Sequence, residues 1–222
     1  MPDSEAWDSG VLRADAERNR ERIVAAAREV FAERGLMAPL DEVARRAGVG
    51  VATLYRRFPT RADLISGVFE TKMAAYANSV EQALADPDPW SGFCRHVAHV
   101  CAMQAADRGV TDVLTMTFPT HKRFEAARVR AHSSFVGLVD RAKATGRLRN
   151  DFVPEDLVML LMANAGVINA TGHAAPQTWR RLVGYLLQSF AAEAAAPLPD
   201  PPSPAQMYRA LLRLQRTGGH AS

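Results

Sequence analysis

Residues 40–61 read Leu-Asp-Glu-Val-Ala-Arg-Arg-Ala-Gly-Val-Gly-Val-Ala-Thr-Leu-Tyr-Arg-Arg-Phe-Pro-Thr-Arg. Their spacing predicts two short helices joined by a tight turn. Val43 and Ala44 face inward on the first, and Ala44 is small enough for a second helix to cross close. Gly48 supplies the positive φ that the turn requires. Val49 and Leu54 close a small core. The second helix covers 51–58, with Leu54 and Phe58 four apart on one face and Ala52, Thr53, Arg56 and Arg57 on the other. Pro59 ends it, because the residue before a proline is pushed out of the helical region. From Val43 to Ala62 there are five arginines (Arg45, Arg46, Arg56, Arg57, Arg61) and no acid. A helix-turn-helix with that cluster carries the charge of a surface that holds DNA phosphates. Arg45 and Arg46 sit on the first helix and are read as a solvated face rather than as DNA contacts.

Upstream, Ile23, Ala26, Ala27, Val30 and Phe31 make the apolar stripe of a helix over 16–34, ended by Gly35. Residues 1–16 are charged and without period, and a disordered arm is expected there. Downstream, Pro39 opens the first helix of the motif. Thr60-Arg61-Ala62-Asp63 is a capping box that starts a long helix to about residue 85. The Asp-Pro-Asp-Pro run at 86–89 breaks the chain. Further helices are expected over 90–106, 111–117, 121–145, 154–170 and 176–195, with 146–153 a loop. No segment sustains period-two alternation, so no sheet is expected. Five prolines from Pro197 to Pro204 form a stiff linker. Beyond it, Met207, Leu211 and Leu214 at helical spacing predict a small last helix. The expected architecture is all-α: a helix-turn-helix domain at 17–62, a second helical domain at 63–196, and a linker and tail at 197–222.

The chain has 222 residues, 48% of them apolar, enough for a substantial core. A net charge of +3 is a weak argument for nucleic acid; the local arginine cluster is the stronger one. The first twenty residues lack an apolar leader, and the most apolar run, 157–170, is too short to span a bilayer. A cytoplasmic protein without membrane partners is expected. Cys94 and Cys101 are seven apart, roughly 10 Å along a helix, too far to bridge each other. They read as buried structural thiols. Of Cys94, His96, His99 and Cys101, only His96 and His99 could share an ion, and they lack a local third ligand, so no metal site is expected. No phosphate loop, nucleophile elbow, zinc-protease motif or dinucleotide glycine pattern is present, and neither an enzyme nor a cofactor is expected.

Ala-Gly-Val at 47–49, Thr-Leu-Tyr at 53–55, Phe58-Pro59, and Arg61 followed by Leu64 resemble the N-terminal domain of the TetR family of bacterial transcriptional repressors. The resemblance runs from about Arg18 to Tyr76, roughly a quarter of the chain. It implies that Val51, Ala52 and Thr53 begin a recognition helix in the major groove. It also implies a phosphate contact for the Tyr55 hydroxyl, base or backbone contacts for Arg56 and Arg57, and a phosphate grip for Arg61. Two departures matter. Gly50 stands where the family often has a polar cap, so the recognition helix begins less firmly. Val51 and Ala52 can touch a thymine methyl but read no donor or acceptor pattern, which leaves base readout to Thr53, Arg56 and Arg57.

The helix at 154–170 is apolar nearly all round, and the next carries Trp179, Leu182, Val183, Leu186 and Phe190 at helical spacing. With Leu161 and Ile168, these are the candidate residues of a homodimer interface, which the resemblance also implies. A dimer would read a pseudo-palindromic operator in double-stranded DNA. Met73, Tyr76, Phe93, Met103, Phe118, Phe135 and Met162 are candidate walls of a cavity for a small apolar or amphipathic effector. The helix at 60–85 joins the two domains. An effector that prefers one tilt of it would lower DNA affinity, a hundredfold for about 2.7 kcal/mol of differential binding. The alternatives are an effector-independent DNA-binding protein, whose core would be filled, and a helical enzyme without a recognisable motif.

Overall fold

A computed structural model describes residues 4–115, 122–194 and 196–217. Its helices are α1 (Ser4–Arg34), α2 (Leu40–Ala47), α3 (Val51–Arg57), α4 (Arg61–Leu84), α5 (Pro89–Ala106), α6 (Arg108–Thr115), α7 (Lys122–Ala144), α8 (Pro154–Thr171), α9 (Thr178–Phe190) and α10 (Pro204–Thr217). The described residues form no strand, only an isolated bridge between Leu148 and Ala191. The all-α expectation holds, and most helix ends fall within a few residues of the positions that their caps predict. Two boundaries differ: α9 ends at Phe190 rather than near 195, because Ala191 turns to extended backbone and bridges Leu148. α1 is helical from Ser4, not from about 16. Glu5, Ala6, Leu12, Arg13 and Ala14 are good helix formers without an apolar period, so propensity decides there where pattern gives no signal.

Local chemistry sets the other ends. Gly35 and Gly48 adopt φ of 78° and 65°, the left-handed conformation that lets the chain leave α1 and α2. A Cβ at Gly48 would also lie 2.6 Å from Arg22 Nη2. The Arg22 guanidinium donates to the Gly48 carbonyl at 3.1 Å and so ties α1 to the turn. Thr60 and Asp63 form the capping box of α4, with Asp63 N–H donating to Thr60 Oγ1 at 3.1 Å and Thr60 N–H to Asp63 Oδ2 at 2.9 Å.

α4 is the spine, packed against α1, α5 and α7. Phe31 of α1 stacks on Phe69 of α4 at 6.4 Å between ring centroids. Gly109 lets α6 lie on that same ring, because a Cβ there would come within 2.5 Å of it. Farther on, Phe93 of α5 is the centre of an aromatic cluster: Phe152 at 5.2 Å, Trp90 at 5.7 Å, Phe135 at 6.3 Å and Phe190 at 6.4 Å. Arg149, 5% exposed, closes the far end by donating to the carbonyls of Ser189 (3.2 Å) and Ala196 (2.7 Å) and pairing with Asp151.

A polar layer joins α5 to its neighbours. Asn164 Nδ2 donates to Gln104 Oε1 at 2.9 Å, and Gln104 Nε2 donates to the Leu161 carbonyl at 3.3 Å. His96 is 2% exposed, its ring between Tyr76 and Phe135, each 5.6 Å away, and its Nδ1 3.3 Å from Ser79 Oγ. Burial, with a minor push from His99, drives its pKa down to about 4. A histidine that stays neutral when folded but ionises normally when unfolded stabilises fully above pH 6.5 and loses that contribution as pH falls toward 4. Between pH 7 and 4.5 the parent chain should lose on the order of 2–3 kcal/mol more than His96→Gln in urea unfolding. Equal losses in the two proteins would contradict this. Burial also pushes the Cys94 and Cys101 thiols up to about 11 and 12, which suppresses the thiolate and fits structural roles.

Candidate DNA-binding surface and effector cavity

α3 turns one face into the core, with Leu54 wholly buried and Phe58 just beyond it nearly so. The opposite face is open: Val51, Ala52, Tyr55, Arg56 and Arg57 are exposed and Thr53 is half-buried. The helix begins at Gly50 in extended backbone, without a side-chain cap. The arginines divide into two groups. Arg46 makes a two-pronged pair with Glu33 at 2.7 and 2.9 Å and approaches Glu42 at 3.5 Å, holding α2 against α1. Arg45 leans on Glu42 at 3.7 Å. Among the described residues no acidic side chain pairs with Arg56 or Arg57. Both side chains face solvent.

Arg61 departs from the expectation of a phosphate grip. Its Nη1 donates to the carbonyls of Leu36 and Ala38, both at 2.7 Å, and burial lowers its pKa. It pins the start of α4 to the turn between α1 and α2. Sequence spacing could not show this, because the acceptors lie 25 and 23 residues away. Arg61→Ala should therefore cost roughly 1.5–3 kcal/mol of stability, as expected for hydrogen bonds from a charged group. A chemical-denaturation curve unchanged by the substitution would return Arg61 to the DNA-facing group.

The same turn is held from the other side. Asp112 Oδ2 of α6 accepts the Leu36 N–H at 3.1 Å. The next two residues of α6, Val113 and Leu114, line a cavity of about 450 Å³ between α4, α6, α7, α8 and α10. Of the expected wall residues, Met73, Tyr76 and Phe135 line it. Phe93 does not, being the hub of the aromatic cluster, and neither Met103 nor Met162 reaches it. Phe118 lies outside the described residues. Leu161, expected at a dimer interface, is instead a cavity wall, 4% exposed. Arg128, His132, Glu125 and Glu155 add polar groups that the apolar pattern could not single out. Arg128 pairs with Glu125 at 3.3 Å. Tyr76 is buried enough to raise its pKa to about 12, so its hydroxyl stays protonated as a donor.

Other expected interface residues also serve the single chain. Trp179 (7% exposed) and Val183 (4%) belong to its core, and the Phe190 ring meets Phe93 and Phe152. They leave little surface for a partner. Ile168, Leu182 and Leu186 are half-buried. Beside them Met159 (42%) and Tyr185 (56%) are the large exposed apolar side chains of α8 and α9.

An all-helical chain with an exposed, basic second helix of a helix-turn-helix and a separate lined cavity has the build of a DNA-binding regulator. Residues 23–68 match the family described as bacterial regulatory proteins, tetR family, and residues 88–189 match the SbtR-like transcriptional regulator C-terminal domain. The chain belongs to the TetR family. A TetR transcriptional regulator from Streptomyces coelicolor is 30% identical, the match covering 78% of this chain and 98% of that one, with a TM-score of 0.47. An HTH-type transcriptional regulator of Staphylococcus aureus (strain USA300) is 32% identical over 72 residues, 32% of this chain and only 39% of that protein's length. FadR from Bacillus subtilis, solved in complex with stearoyl-CoA, shares the fold at 16% identity, over 79% of this chain and 99% of that one, with a TM-score of 0.52. Among the described residues no helix is long and apolar enough to cross a membrane.

Proposed function

We propose that this chain is a homodimeric transcriptional repressor of the cytoplasm that binds a pseudo-palindromic operator and leaves it when a small apolar or amphipathic molecule enters the cavity. The observation that carries the DNA-binding part is the open face of α3, where Tyr55, Arg56 and Arg57 stand exposed while Arg45 and Arg46 are tied to glutamates. Tyr55, Arg56 and Arg57 are proposed to touch the backbone and base edges, and Val51, Ala52 and Thr53 to lie closest to the groove floor.

The effector part is supported by connectivity. An effector against Val113 and Leu114 bears on α6, and α6 carries Asp112 to the Leu36 amide. Arg61 grips the carbonyl of that same residue from α4. A shift of α6 would therefore tilt α1–α3 relative to α4 and change the separation of two recognition helices in a dimer. The cavity's size falls within the range of small-molecule sites, and its mix of Met, Phe and Leu walls with Arg128, His132 and Tyr76 suits a ligand with an apolar body and a polar end.

The dimer is testable at Tyr185, which the single chain does not need for its core. Tyr185→Glu should give a folded monomer whose operator affinity falls by about tenfold or more, since one recognition helix contacts only half of the site. Sedimentation showing an unchanged dimer would move the interface elsewhere.

A further inference from the structure

The chain's own tail forms one side of the cavity. Pro204, Met207, Tyr208 and Leu211, at i, i+3, i+4 and i+7 of α10, all line it. Met207 is 8% exposed, while its helix neighbours Ala205, Gln206, Arg209 and Ala210 are exposed. Leu211 is half-buried and Tyr208 is 49% exposed, so among the described side chains of the helix Met207 is the anchor. The tail is built for this placement at three points. Arg149, itself buried, holds the Ala196 carbonyl at 2.7 Å and fixes where the tail leaves the body. Residues 197–203 include four prolines and, as an extended polyproline segment, reach roughly 22 Å. Ser203 and Gln206 then cap α10 reciprocally, Ser203 N–H donating to Gln206 Oε1 at 2.8 Å and Gln206 N–H to Ser203 Oγ at 3.3 Å, with Pro204 in the first helical position. An isolated helix of this length is marginal in water, so docking is what gives it a reason to form.

We propose that α10 is a tethered lid: Met207 and Leu211 occupy the mouth of the cavity, and the tail must swing away for a ligand to enter and can close over it afterwards. This rests on the reading of the cavity as the effector site. It adds that access is governed by the tail and that the tail competes for the same apolar walls.

The test follows access to the wall without needing the effector. Val158, a half-buried wall residue on α8, is replaced in Val158→Cys, and its reaction with 5,5′-dithiobis(2-nitrobenzoate) is followed above the slow background of Cys94 and Cys101. Removing residues 203–222 should speed this reaction by about tenfold or more, the scale set by burying one Met side chain. Met207→Glu in the full-length chain should do the same, and a peptide of residues 203–217 added in trans should slow the truncated chain again. Rates within about twofold of one another in all three comparisons overturn the lid. So does rapid labelling of buried Cys101 together with residue 158 and without rescue by the peptide, which would make the tail a general support of the fold. The effector reading fails separately, if no small molecule weakens operator binding in either the full-length or the truncated chain.

Discussion

Phe93→Ala should lower the free energy of unfolding by about 3–5 kcal/mol, the range for emptying a buried aromatic site. The side chain is 0% exposed and touches Trp90, Phe135, Phe152 and Phe190, which come from α5, α7, the segment after α7, and α9. Because Trp90 and Phe135 reach the directly paired Phe152 and Phe190 through Phe93, the site cannot collapse cheaply. Phe93→Leu refills much of the volume and should recover roughly half of the loss. Urea unfolding of the three proteins checks this. A loss below about 1 kcal/mol for Phe93→Ala would mean that the cluster repacks freely and is not the keystone of the C-terminal domain.

Operator binding by Arg56→Ala/Arg57→Ala should be weaker by about a hundredfold or more, at about 1–3 kcal/mol for each lost contact. Stability should hardly change, because both side chains are exposed and neither is ion-paired among the described residues. Arg45→Ala is the matched control. It removes an equal charge from the same domain, but one already turned to Glu42 and 75% exposed, and it should cost no more than about threefold. Titration of a fluorescent operator with the three proteins, at equal salt, separates a specific contact from a general field. Equal losses for all would mean that only net charge counts at this surface.

The helix ends were legible because their signals are local. Gly35, Gly48, Thr60 with Asp63, Pro89 and Pro154 each act through their own backbone or a residue three away. The exposed face of α3 was legible for the same reason, since Leu54 and Phe58 fix which side is inward. The cavity was only partly so. Met73 and Phe135 line it while Phe93 and Met103 do not, and nothing in residue type or helical spacing separates them. The separation arises because the space opens between α4, α6, α7, α8 and α10, whereas Phe93 and Met103 stand on α5. Arg61 shows the other limit. Its charge is visible in the sequence, but its acceptors are the carbonyls of a turn more than twenty residues away. Trp179, Val183 and Phe190 likewise have an apolar period that fits an interface, and the packing of α9 against α5 and α8 places them within one chain. In each case pattern identifies the kind of face, and only the tertiary neighbour decides what that face meets.

The measurement closest to the central claim is selection of bound fragments from random double-stranded DNA by the purified chain, with the enriched sequence retested at two salt concentrations beside a scrambled duplex. The account predicts a pseudo-palindrome, bound by two chains, whose preference over the scrambled duplex survives at the higher salt and is lost in Arg56→Ala/Arg57→Ala. Binding that enriches no sequence and falls with salt equally for every duplex would contradict it, leaving α3 as a basic surface that grips phosphates and reads nothing.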